Sequence, residues 1–131
     1  MAPERPTLPE PCDRVLVVDD STDMLEAMRD LLELGGSTVA TATSAEAADR
    51  ILAGGFDPNV VVLDLRLGGG ESGEAYARRL RAEHPSLPIV AMSGDVGKLR
   101  RLRADVDAAV SKPFRPERLL ELLSELCADP A

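Results

Sequence analysis

A chain of 131 residues, 44% hydrophobic and 29% charged, is long enough for one globular domain with a core that needs no metal or disulfide staple. With two Phe, one Tyr and no Trp, that core must be built of Val, Leu, Ile and Ala. Fifteen basic residues against 23 acidic leave a net charge of −8, which excludes a general affinity for nucleic acid or for an anionic membrane.

Residues 1–12 carry Pro3, Pro6, Pro9 and Pro11 and are expected to form an extended tail, with the folded domain over 13–127 and a short tail at 128–131. The N-terminus lacks the basic-then-apolar layout of a leader peptide. No apolar run approaches the ~20 residues of a membrane span, so no membrane insertion is expected. Cys12 and Cys127 sit near opposite ends of the chain without a C-x-x-C spacing and read as reduced thiols of a cytoplasmic protein.

From Arg14 onward, strand and helix patterns alternate five times. The strand candidates are short apolar runs: RVLVVD (14–19), STVATA (37–42), NVVVLD (59–64), PIVAMS (88–93) and DAAVS (107–111). Such runs suit strands buried on both faces of a parallel sheet. The first helix is predicted over 22–34, with Met24, Leu25, Met28, Leu31 and Leu32 on one face and Gly35 as its stop. Thr43 and Glu46 have the spacing of a capping box for a helix running to Ala53. A third helix is predicted over 73–84, a shorter one over about 95–104, and a last one with Pro116 in its first turn. Five βα units predict a doubly wound α/β domain, whose chemistry collects at the carboxyl ends of the strands.

Those ends are distinctive. Strand one ends in Asp19-Asp20, strand three in Asp64, strand four in Ser93 and strand five in Ser111-Lys112-Pro113. With a strand order of 2-1-3-4-5 they would converge on one cleft. Three neighbouring carboxylates repel one another, and a Mg²⁺ ion together with the Lys112 ammonium would relieve that repulsion. The result is a site suited to a phosphoryl group. A single strand-end aspartate is often only a turn former or helix cap, but that explanation would have to serve four strand ends at once.

Here the sequence resembles the receiver domain of two-component response regulators, over about residues 13–127. The resemblance rests on VLVVDD (15–20), VVVLDLRL (60–67), PIVAMSG (88–94) and SKPF (111–114), and it is close to receivers that are stand-alone or associated with hybrid histidine kinases. It implies a flavodoxin-like (βα)5 sandwich. Asp64 would be the phosphoacceptor, served by a histidine kinase or histidine phosphotransfer protein. Asp20, Asp64 and the backbone carbonyl of Arg66 would hold Mg²⁺, with Asp19 acting through a water. Lys112, joined to Pro113 by a cis peptide, would contact the phosphoryl oxygens, and Ser93 would be the switch hydroxyl. Gly94 would leave room beside the phosphoryl group, while Arg66 and Asp95 would govern its hydrolysis. Such a domain is no conventional enzyme, but it would catalyse its own phosphorylation and dephosphorylation. Its output would be a change in binding to a downstream protein partner, and a homodimer is among the assemblies the resemblance allows. Because the last helix runs nearly to the end of the sequence, output is expected through partners, onward phosphotransfer or a parent protein.

Two features depart from the family pattern. Ala109 stands three residues before Lys112, where many receivers carry a switch aromatic, and Gly68 stands where proline is common. Two other functions compete. Gly68-x-Gly70-x-x-Gly73 matches a dinucleotide-binding glycine motif that follows a strand and opens a helix. That reading leaves Asp19, Asp20 and Lys112 without a role, and Leu65-Arg66-Leu67 separate the glycines from their strand. The other competitor is a receiver-like interaction module that is not phosphorylated. The cluster Lys98, Arg100, Arg101 and Arg103 reads as a solvated helix face or as a dock for an acidic partner, and His84 as a surface residue.

Overall fold

The structure, a computed structural model, describes residues 13–127; the two predicted tails lie outside the described residues. Strands β1 (Arg14–Val18), β2 (Thr38–Ala42), β3 (Val60–Asp64), β4 (Ile89–Ser93) and β5 (Ala108–Ser111) alternate with helices α1 (Thr22–Leu34), α2 (Ala45–Ala53), α3 (Gly73–Glu83), α4 (Val96–Arg101) and α5 (Pro116–Cys127). All strand pairings are parallel, and the sheet order is β2-β1-β3-β4-β5. The expected doubly wound architecture is therefore the observed one.

Alternation along each strand builds two cores. Val15 and Val17 of β1 join Val60, Val62, Val90 and Met92 under α1 and α5, while Leu16 and Val18 join Val61, Leu63, Ile89 and Ala91 under α2, α3 and α4. Burying each of these side chains contributes about 1.5–3 kcal/mol for the larger aliphatics, so two full faces supply the stability that the missing aromatics cannot. All five residues of β3 and of β4 are buried, because these strands lie in the interior of the sheet with helices on both faces.

Helix starts are set by side chains that accept otherwise unpaired N–H groups. Ser21 accepts from Met24, Ser44 from Ala47, Ser72 from Ala75 and Asp95 from Lys98. The α2 cap is thus Ser44 and not Thr43: Thr43 has the same chemistry, but the helix begins one residue later. Gly35 ends α1 as expected, and α4 is shorter than its predicted span. The thiol reading is corrected outright. Cys127 is disulfide-bonded; the one other cysteine in the sequence, Cys12, lies outside the described residues.

Gly73 sets how closely α3 approaches β3. A Cβ there would lie 2.5 Å from the carbonyl oxygen and 2.6 Å from the carbonyl carbon of Leu65, both backbone atoms that cannot swing aside. Gly73→Ala must push α3 away from the end of β3. The expected cost is about 1–3 kcal/mol, a fall of roughly 4–12 °C in the thermal midpoint measured by circular dichroism. A midpoint equal to that of the unsubstituted domain would show that the helix has slack here.

Candidate functional site at the strand ends

Strands β1 and β3 are adjacent, so their carboxyl ends deliver Asp19, Asp20 and Asp64 to one cleft, where one carboxylate oxygen from each lies within 4.8 Å of the others. Asp19 and Asp64 are buried and Asp20 is exposed. From the end of β5, Lys112 reaches across to place Nζ 2.6 Å from Asp64 Oδ2 and 3.9 Å from Asp19 Oδ2. Three carboxylates therefore face one ammonium, and the cleft is short of positive charge.

The two buried acids are held differently. Asp64 Oδ1 accepts the N–H of Arg66 at 2.9 Å, while its Oδ2 takes the ammonium of Lys112. Asp19 Oδ1 accepts the N–H of Ser21 at 2.9 Å, but its buried Oδ2 has no hydrogen-bond partner among the described residues. Burial is the main cause that pushes the Asp19 carboxyl up to about 6; repulsion from Asp64 adds to it, and the Ser21 N–H and Lys112 oppose it. An unpartnered buried carboxylate oxygen, within a set of hard oxygen donors short of positive charge, fits a hard divalent cation such as Mg²⁺.

Ser93 and Lys112 come together through the β4–β5 pairing. Ser93 is opposite Ser111, and its carbonyl accepts the N–H of Lys112 at 2.9 Å. Ser93 is buried, and its hydroxyl accepts the N–H of Asp95 at 2.9 Å, which ties the end of β4 to the cap of α4. Apart from its chain neighbours, no atom of the described residues lies within 4 Å of the position a Cβ would take on Gly94, so there is open space after Ser93. The Lys112–Pro113 peptide is cis. Ala109 is exposed on the edge strand, and His84 ends α3 at the surface.

The glycine run lies beside this cleft. Gly69 and Gly70 have φ of 59° and 57°, a left-handed conformation that glycine adopts without strain. Gly68 packs near the Asp20 carboxylate, and a Cβ on Gly70 would collide with that of Glu46. Carboxylates on both sides repel a pyrophosphate, so the surroundings of the run are wrong for a dinucleotide. Sequence reasoning passed over Glu71 and Arg79 in this region and gave Glu46 only the part of a capping-box acid. Glu71 and Arg79 are eight positions apart, outside the three- or four-residue spacing that links neighbours on a helix.

The fold and cleft define a class: a doubly wound α/β domain with an acidic site and a facing lysine at its strand ends. Residues 15–124 match the family model described as response regulator receiver domain, and the chain belongs to that family. It is 34% identical over 110 residues to the C4-dicarboxylate transport transcriptional regulatory protein DctD of Rhizobium meliloti, an alignment covering 82% of this chain and 24% of that protein. It is 30% identical over 108 residues to the aerobic respiration control protein ArcA of Escherichia coli K12, covering 80% of this chain and 44% of ArcA. The chain thus spans less than half the length of either regulator. Among solved structures, the receiver domain of NtrX from Brucella abortus superposes with a TM-score of 0.78 at 29% identity, covering 89% of this chain and 99% of that one. A CheY-like receiver domain protein from Methanospirillum hungatei gives 0.78 at 26% identity, covering 87% and 92%.

Proposed function

We propose that this domain accepts a phosphoryl group on Asp64 from the phosphohistidine of a histidine kinase or histidine phosphotransfer protein, and that the modified domain changes its binding to a downstream protein. The observation that carries this reading is the pairing of a buried Asp64 carboxylate with Lys112 at 2.6 Å inside a cleft of three acids.

In the transfer, a carboxylate oxygen of Asp64 attacks phosphorus while the P–N bond to the donor imidazole breaks. The bonding electrons return to the ring nitrogen, and the imidazole leaves neutral because its other nitrogen already carries a proton. The product is an acyl phosphate on Asp64. Lys112 follows the negative charge from the carboxylate to the phosphoryl oxygens. Asp19, Asp20, Asp64 and the Arg66 carbonyl are the groups that would hold Mg²⁺, which when bound supplies the charge neutralisation that in-line phosphoryl transfer requires. Hydrolysis by water returns the carboxylate, and exposed Arg66 and Asp95 are the residues that would act on that water.

Switching rests on Ser93. Its hydroxyl turns to donate to a phosphoryl oxygen and gives up the Asp95 N–H, so the start of α4 is released to a second position. With Ala109 in place of an aromatic, that movement is read directly on the face around residues 93–112. There Val96 is half exposed, and Arg100, Arg101 and Arg103 offer positive charge to an acidic partner. Among the described residues no helix is long and apolar enough to cross a membrane. We place the domain in the cytoplasm with its phosphodonor. A thiol count on protein alkylated at cell lysis tests that placement, because the Cys127 disulfide suits an oxidising compartment.

Incubation with Mg²⁺ and acetyl phosphate tests the reading itself. One acid- and base-labile phosphoryl adduct per chain is expected, formed only with Mg²⁺. No adduct at any Mg²⁺ concentration would overturn the assignment.

A further inference from the structure

The loop between β3 and α3 contains three consecutive glycines, two of them left-handed, and so has an unusually large backbone entropy to lose. It is nonetheless pinned at its far end. Arg79 of α3 donates from Nη2 to Glu71 Oε1 at 2.7 Å and from Nε to Glu71 Oε2 at 3.1 Å. The same guanidinium donates from Nη2 to Asp49 Oδ2 of α2 at 2.7 Å, and it lies 4.8 Å from the centre of the buried Tyr76 ring. The N–H of Glu71 donates to Glu46 Oε1 of α2 at 3.3 Å. At its near end the loop passes Arg66, whose N–H holds Asp64, and Gly68, which lies beside Asp20.

We propose that Arg79 is a positioning residue for the acceptor site: by gripping Glu71 and Asp49 together it holds the Arg66–Glu71 loop against the acidic cleft. The inference rests on the reading of Asp64 and its neighbours as a Mg²⁺ and phosphoryl site. The planar fork grips Glu71 with two nitrogens while also reaching Asp49 of a neighbouring helix, a bidentate geometry that the point charge of lysine does not reproduce. Because Arg79 is about one-third exposed and its partners are partly exposed as well, the network adds little to global stability. Its effect falls on the loop it ties down.

The sign of the effect on Mg²⁺ binding separates positioning from mere charge. Removing a cation near an acidic cleft should, through Coulomb attraction alone, tighten the binding of Mg²⁺. Loss of positioning weakens it. Arg81 serves as the matched control: it lies on the same helix and holds Asp107 and the carbonyls of Asp105, Pro85 and Leu87, remote from the cleft.

The experiment is calorimetric titration of Mg²⁺, without phosphodonor, into the wild type and into Arg79→Gln, Arg79→Lys and Arg81→Gln, with thermal melts of each. Arg79→Gln is expected to weaken Mg²⁺ binding about tenfold, the lower end of what outer-shell substitutions cost at metal sites. Arg79→Lys should recover only part of that loss. Arg81→Gln should bind Mg²⁺ as the wild type does while lowering the melting midpoint at least as much. Wild-type or tighter Mg²⁺ binding by Arg79→Gln overturns the proposal, as does an equal weakening in Arg81→Gln. If the wild type binds Mg²⁺ and forms the adduct, those failures count against Arg79 alone. A wild type that does neither overturns both the site reading and this inference.

Discussion

Asp64→Asn is expected to abolish phosphoryl uptake while leaving the domain folded. The amide has nearly the shape of the carboxylate, and its oxygen can still accept the Arg66 N–H that Asp64 Oδ1 accepts. What it lacks is a nucleophilic oxygen anion, and a neutral amide does not form an acyl phosphate under these conditions. Lys112 loses its partner at 2.6 Å but retains Asp19 at 3.9 Å and is partly exposed, so the ammonium is not stranded. The change in stability should stay within about 1 kcal/mol, because one repulsion between carboxylates is removed along with one ion pair. Phosphate-affinity electrophoresis and intact mass after exposure to Mg²⁺ and acetyl phosphate check the uptake, and a thermal melt checks the fold. An adduct that persists in a folded Asp64→Asn variant would assign the acceptor to another residue.

The second large effect is a gain in stability on losing an acid of the site. Asp19→Asn is expected to stabilise the metal-free domain by about 1–3 kcal/mol, the usual cost of a buried polar atom without a partner. Asp19 Oδ2 is such an atom, and burial together with the nearby Asp64 pushes its carboxyl up to about 6. The sign follows from linkage. A carboxyl whose pKa is raised on folding favours the folded state at low pH, and that contribution is lost as pH rises through about 6. The metal-free domain should therefore lose part of its stability between about pH 4 and 7, and Asp19→Asn should lack that component. Denaturant midpoints at the two pH values, with and without Mg²⁺, measure it. In the unsubstituted domain Mg²⁺ should restore the stability lost at pH 7; in Asp19→Asn it should do so far less. A variant less stable than its parent at pH 7 without Mg²⁺ would mean that Asp19 is already satisfied in the folded protein.

Much of this was legible in the sequence. Apolar runs such as NVVVLD and PIVAMS report burial on both faces, and Gly35 marks the end of the first helix. These are local signals, governed by the period of the chain and by hydrogen bonds a few residues long. The strand-end residues Asp19, Asp20, Asp64, Ser93 and Lys112 could be named in advance for the same reason, since a parallel sheet must present all its carboxyl ends along one edge. Local chemistry also misled: Thr43 and Ser44 are equivalent cap formers in sequence, and packing chose Ser44.

Only the tertiary structure decided the rest. It set the distances within the cleft, with Lys112 2.6 Å from Asp64 and Asp19 Oδ2 left without a hydrogen bond among the described residues. It also gave the glycine run its meaning. As a string, Gly68 to Gly73 matches a phosphate cradle letter for letter; in the fold, Asp20 and Glu46 flank it with negative charge, and Gly73 is there because Leu65 leaves no room for a Cβ. The Glu71–Arg79–Asp49 network joins a loop and two helices across 8 and 30 positions of sequence. No periodicity encodes such contacts. They arise when separately determined elements pack together, and packing depends on all of their faces at once.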